Sequence, residues 1–173
     1  IGMGGSILGT KAIYSFLNHK VKKKIYFYDN LLPVIKKVKN QNFLNLVISK
    51  SGNTLETISN TNNIVRKNQK NIFITDKGNN FLRTLANKLK AEIVDHNNFI
   101  GGRYSVLSEV GMLPSSLVGL NSKKFKQFNN LVKKKNFINS LIYNVSTILF
   151  FVEKKRNNSI ILNYDESSED LFK

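Results

Sequence analysis

The chain has 173 residues, 41% of them hydrophobic, which suits one globular domain with a substantial core. It has no cysteine, which excludes disulfides, thiolate metal sites and a cysteine nucleophile and sits with a cytoplasmic protein; His19 and His96 stand alone, so no metal is expected. Its formal charge of +16 comes mainly from lysines spread over the whole length among equally pervasive asparagines, the pattern of a solvated surface rather than a nucleic-acid face, and no apolar run reaches the ~18 residues of a membrane span.

In chain order, IGMGGS is the end of a strand turning into a helix at 6–17, followed by a strand IYFY at 25–28 and a weaker helix at 32–38. FLNLVI at 43–48 is the next strand and feeds a helix at 54–67. NIFIT at 71–75 is followed by a helix at 80–90, and AEIVD at 91–95 leads to a Pro-interrupted helical segment at 105–120. The lysine-rich stretch 123–155, with apolar residues at helical spacing and a break near Lys135 and Asn136, is expected as two surface helices packed on the sheet. A last strand, SIILNY, is expected at 159–164. This alternation implies an α/β fold with a doubly wound, mostly parallel sheet flanked by helices. The start without methionine and the stop at EDLFK without a capping signal imply a segment truncated at both ends, its first strand largely missing.

Ligands of such sheets bind at the carboxyl ends of the strands, and three motifs fall there. In IGMGGS, Gly4 and Gly5 let the backbone approach a ligand and Ser6 can cap the helix or bond an anion. The spacing lacks the third glycine of a dinucleotide fingerprint, so an anion site and a plain tight turn both remain open. In VISKSGNTLET, Ser49, Ser51 and Thr54 set three hydroxyls beside the free N–H groups of a helix start, where the macrodipole adds positive charge. Capping needs one hydroxyl and not three, which favours a dianionic phosphate. In GGRYS, Gly101 and Gly102 bring backbone close to a site and hold Arg103 on a short tether, where its guanidinium can pair with the oxygens of an anion.

IGMGGS, SKSGNTLET and GGRYSVLSEVGMLPSSLVG, in this order, closely resemble the glucose-6-phosphate isomerase family and, more broadly, the sugar isomerase (SIS) domain superfamily. SKSGNT occurs widely among SIS domains, whereas GGRYS followed by S-x-V-G-x-L-P is the narrower signature. The resemblance implies that residues 1–155 form a SIS-type phosphosugar-binding domain and that 156–173 begin the segment leading into a second one. It implies a homodimer that interconverts glucose 6-phosphate and fructose 6-phosphate through a cis-enediolate, without a cofactor. Ser49, Ser51 and Thr54, with the backbone at Lys50, would grip the phosphate. Gly4, Gly5, Ser6 and Gly102 would line the sugar site, and Arg103 would stabilise the enediolate.

The family's glutamate base, in E-S-x-G-K, its ring-opening histidine motif and its late lysine are absent from this sequence. Glu166 and Glu169 lack the residues that should follow, so no general base is assigned and the chain alone is expected to bind rather than to turn over. Two other classes compete. A non-catalytic SIS module that senses a phosphosugar would keep SKSGNT but has little reason to keep Arg103, and a nucleic-acid binder would use the lysines.

Overall fold

A computed structural model describes residues 1–31 and 43–172, so the helix expected at 32–38 lies outside the described residues. The chain divides into two compact units, Ile1–Leu120 with the residues from Ser167 onward, and Asn121–Glu166.

The first unit is built on three parallel strands in the order β1 (Leu44–Ile48), β2 (Lys70–Thr75) and β3 (Glu92–Asp95), with Ile48 beside Ile74 and Thr75 beside Asp95. The crossovers are the helices α2 (Leu55–Ile64) and α3 (Phe81–Leu89). Two more helices precede and follow the sheet in sequence, α1 (Leu8–Phe16) and α4 (Glu109–Leu117). Parallel strands with helical crossovers are covered on both faces, and the side chains divide accordingly. Val47 and Phe73 pack with Val65, Leu82 and Ala86, whereas Ile48 and Ile74 pack with Val110 of α4. Leu82, Leu85, Ala86 and Leu89 explain why α3 is a helix here: their i, i+3, i+4, i+7 spacing makes one apolar stripe, and Asn80 caps it by accepting from the Arg83 N–H at 2.9 Å. Phe73, Ile74 and Leu82 are fully buried, each worth about 1.5–3 kcal/mol of transfer free energy. The α/β architecture expected from the sequence is the observed one.

Ile1 adds to the free edge of β1 in the pattern of a parallel pair. Its amino group donates to the Leu46 carbonyl at 2.8 Å, and its own carbonyl accepts from the Ile48 N–H at 2.9 Å.

Two expected strands do not form. IYFY at 25–28 is extended, but among the described residues its ladder amounts to a single bond, Gly2 N–H to Tyr28 carbonyl at 3.2 Å, with Phe27 edge-on to Tyr14 of α1. SIILNY at 159–164 has no strand pairing among the described residues, and Ile160, Leu162 and Tyr164 are exposed. Both have β-prone residues, yet a strand also needs a neighbouring edge along its length.

In the second unit, α5 (Phe128–Val132) and α6 (Lys135–Glu153) are separated at Lys133 and Lys134, close to the break read from the sequence. No residue of α6 is buried.

Pro114 lies inside α4, where it cannot donate to the carbonyl of Val110 one turn earlier. Thr10 of α1 makes good the loss, its hydroxyl donating to the Val110 carbonyl at 3.2 Å. This fixes α1 against α4 directly behind the segment that carries Arg103.

Candidate functional site

The phosphate-type motif forms the turn from β1 into α2. Ser49 is buried, its N–H bonds the Ile74 carbonyl at 3.0 Å, and its hydroxyl meets that of Thr54 at 3.0 Å. Thr54 occupies the N-cap position of α2 without capping it through its side chain. The first-turn N–H groups of a helix have no intrahelical partner, so the mouth of α2 keeps donors aimed outward beside two paired hydroxyls. Ser51 is exposed and accepts weakly from the Asn53 N–H at 3.3 Å, which leaves its hydroxyl proton free to point elsewhere.

Gly52 shapes this turn. Its φ is +65°, and a Cβ there would stand 2.0 Å from Oδ1 of Asn80, so a side chain is excluded by both conformation and space. Its carbonyl accepts from Leu82 N–H at 3.1 Å, and Asn53 Oδ1 accepts from Phe81 N–H at 3.0 Å, which ties the loop to the start of α3.

The glycines of the first motif lie against the third. Gly4, with φ +50°, opens a short 3-10 turn over Gly4–Ser6, and Ser6 is half-buried. Gly5 packs on the backbone of Gly102 so closely that a Cβ on it would fall 2.3 Å from the Gly102 carbonyl carbon. The buried Ser105 braces the junction, donating to Gly102 O at 2.7 Å with Gly5 O at 3.3 Å. Gly102 and Arg103 begin the 3-10 turn Gly102–Leu107, both exposed, and Arg103 makes no hydrogen bond or ion pair among the described residues.

Three side chains that sequence reasoning did not connect hold the loop in front of Arg103. Lys50 lies in the phosphate-type motif, but its ammonium is turned onto the carbonyls of Asn98 at 2.7 Å and Ile100 at 3.0 Å. His96, buried at the end of β3, pairs through Nδ1 with Glu109 and faces the Ile100 carbonyl through Nε2 at 3.2 Å. Glu109 also accepts from the Asn97 N–H at 3.3 Å. No periodic pattern announces such contacts; His96 carried no signal beyond being one of two histidines.

The residues of the three motifs therefore sit at the carboxyl ends of the strands, with Gly5 and Gly102 in direct contact. Three carboxylates near them are engaged: Asp76 with Gly78 and Asn80, Asp95 with Arg83, and Glu109 with His96. Among the described residues no group of three His, Cys, Asp or Glu could hold a metal, and no helix is long and apolar enough to cross a membrane.

The sequence matches the phosphoglucose isomerase family over residues 1–165. The chain belongs to that family. It is 33% identical over 186 residues to the glucose-6-phosphate isomerase of Methanocaldococcus jannaschii, covering 96% of this chain and 45% of that protein. It is 31% identical over 196 residues to the glucose-6-phosphate isomerase of Mycoplasmoides gallisepticum, covering 99% and 46%. The chain thus spans about half the length of the curated relatives it matches. A hypothetical protein of Thermus thermophilus of known structure shares the fold, with a TM-score of 0.62 at 23% identity over 83% of this chain and 40% of that one.

Proposed function

We propose that this phosphoglucose isomerase family chain supplies the phosphate grip and one catalytic arginine of an enzyme that interconverts glucose 6-phosphate and fructose 6-phosphate. The observation that carries the reading is the joining of the three motifs. A hydroxyl-lined, uncapped helix mouth stands at the end of β1, and a glycine-on-glycine contact seats Arg103 at the neighbouring motif. Ser49, Ser51, Thr54 and the backbone at Lys50 hold the phosphate dianion, for which the α2 dipole and first-turn N–H groups are suited. Gly4, Gly5, Ser6 and Gly102 let the sugar approach the backbone. The unpartnered Arg103 guanidinium stabilises the charge that develops on the two oxygens of the cis-enediolate.

The reaction moves a proton between adjacent carbons and needs no external oxidant or cofactor. No general base is assigned among these residues, and the chain alone is proposed to bind phosphosugar without turning it over. Residues 1–155 act as the phosphosugar-binding domain and 156–173 begin the segment leading into a second one, in a cytoplasmic homodimer.

The test is Arg103→Ala and Arg103→Lys in the protein expressed from its complete reading frame, with steady-state isomerisation of glucose 6-phosphate and equilibrium binding of a non-isomerisable sugar phosphate. A fall in kcat on the order of 10²–10³ with little change in binding is expected, and lysine rescues only part because it lacks the planar fork. An unchanged kcat with weakened binding reduces Arg103 to an anion clamp and favours a sensing module.

A further inference from the structure

We infer that Lys50 is a positioning residue that couples occupation of the phosphate site to the placement of Arg103, an inference that rests on the function proposed above. Lys50 stands between Ser49 and Ser51, in the turn whose hydroxyls and N–H groups face the phosphate. Its side chain leaves that turn. The ammonium donates at 2.7 Å to Asn98 and at 3.0 Å to Ile100, two carbonyls of the loop that runs from β3 to Arg103. Its own carbonyl accepts from Asp76 N–H at 3.0 Å, which anchors the residue to the end of β2. One residue thus belongs to the anion turn by its backbone and to the arginine loop by its side chain.

The same loop is held from a second direction, at the Ile100 carbonyl that Lys50 also meets. Buried His96 faces Ile100 O and is paired with Glu109 at the start of α4, and Glu109 also accepts from Asn97. Held at Asn97, Asn98 and Ile100, the loop leads through Gly101 and Gly102 directly to Arg103. When phosphate draws the N–H groups of the Ser49–Thr54 turn towards it, Lys50 carries that shift to Ile100 and so to the arginine. Charge-assisted bonds from an ammonium to two carbonyls are strong enough to transmit such a shift, and misplacement of a catalytic group by about 1 Å can cost ~10²-fold in rate.

The test uses Lys50→Met and Lys50→Arg, alone and combined with Arg103→Ala, in the protein expressed from its complete reading frame. Lys50→Met is expected to lower kcat by roughly 10- to 10²-fold while the affinity for glucitol 6-phosphate changes less than about threefold. In the Arg103→Ala background the same change should cost almost nothing further, because the two residues act in series. Lys50→Arg should recover much of the loss, since a guanidinium can also donate to two carbonyls. Additive effects, or weakened binding with kcat intact, overturn the inference and make the ammonium a plain phosphate ligand.

Amide hydrogen exchange supplies an arm that does not need turnover. Saturating inorganic phosphate should slow exchange across 98–103 in the unmodified protein and in Lys50→Arg, but not in Lys50→Met. If the unmodified protein shows this protection yet fails to isomerise glucose 6-phosphate, the proposed function falls and the coupling stands. If it isomerises without the protection, the coupling falls alone.

Discussion

Both ends of the sheet carry polar residues, but only the carboxyl end leaves some of them facing outward. At the amino end, Asn45 and Asn71 stand opposite each other in the β1–β2 register, both buried. Asn45 donates to Asn71 and Gln69 at 2.8 Å each, and Asn71 donates to the Arg66 and Gln69 carbonyls at 2.9 and 3.0 Å. Arg66 spends its guanidinium on the carbonyls of Asn62, Asn63 and Val65 at the end of α2. Each of these groups finds a partner within the chain. At the carboxyl end the counterpart arginine, Arg103, has none among the described residues, the mouth of α2 lacks a side-chain cap, and Gly5 and Gly52 hold backbone where a side chain would collide. Buried polar groups that satisfy one another stabilise; donors left facing outward on a rigid turn await something from outside.

The contrast is broken most severely at Gly5. A methyl group there meets the Gly102 backbone at 2.3–2.4 Å, and backbone cannot swing away as a flexible side chain can. In the protein expressed from its complete reading frame, Gly5→Ala is expected to displace the start of the Gly102–Leu107 turn and to lower kcat by about 10² or more, with a smaller change in sugar-phosphate affinity. Steady-state kinetics beside a thermal melt separates displacement of Arg103 from unfolding. A folded Gly5→Ala protein with full activity would mean that this contact does not place the arginine.

Asn71→Leu probes the opposite end. It removes two donors to backbone carbonyls and the acceptor of Asn45, at a site too buried for water to replace them freely. A loss of about 2–3 kcal/mol in urea unfolding is expected, with kcat per folded molecule unchanged. A change in kcat from this end would undo the division between a structural and a functional edge.

Much of this division is legible in the sequence, for different reasons at different places. The hydroxyls of Ser49, Ser51 and Thr54, the glycines and Arg103 are local signals, because a strand end, a turn and a helix start are set by neighbouring residues. The stripe of Leu82, Leu85, Ala86 and Leu89 is legible for the same reason. What escaped is long-range. Thr10 reaches Val110 across 100 positions, and Lys50 reaches Ile100 across 50, with no period or spacing to announce either. The failures at 25–28 and 159–164 have the same root, since pairing depends on an edge that no local window contains.

Thr10 offers a smaller test at the carboxyl half, where a polar group is internally paired as those at the amino end are. Thr10→Val keeps the shape and removes the hydroxyl, leaving the Val110 carbonyl without the donor that Pro114 cannot supply. A destabilisation of about 1–2 kcal/mol is expected by urea titration, with activity of the folded protein retained. No loss of stability would show that another donor reaches Val110.

The smallest effect is expected at Thr57, and its sign carries the information. Thr57 lies early in α2, fully buried, and its hydroxyl is the buried side-chain oxygen without a partner among the described residues. Thr61, one turn later, shows the usual remedy by donating to the Thr57 carbonyl at 2.6 Å. An unsatisfied buried hydroxyl costs stability, so Thr57→Val should be neutral or raise stability by up to about 1 kcal/mol, read as an unchanged or slightly higher melting temperature. The melt is repeated with saturating glucose 6-phosphate. If the ligand stabilises the valine variant as much as the unmodified protein, the Thr57 hydroxyl takes no part in binding and the phosphate grip ends at Thr54. If the ligand-induced shift shrinks, the hydroxyl is serving the anion through the first turn of α2, and the functional edge of the sheet extends one residue layer deeper than its exposed donors indicate.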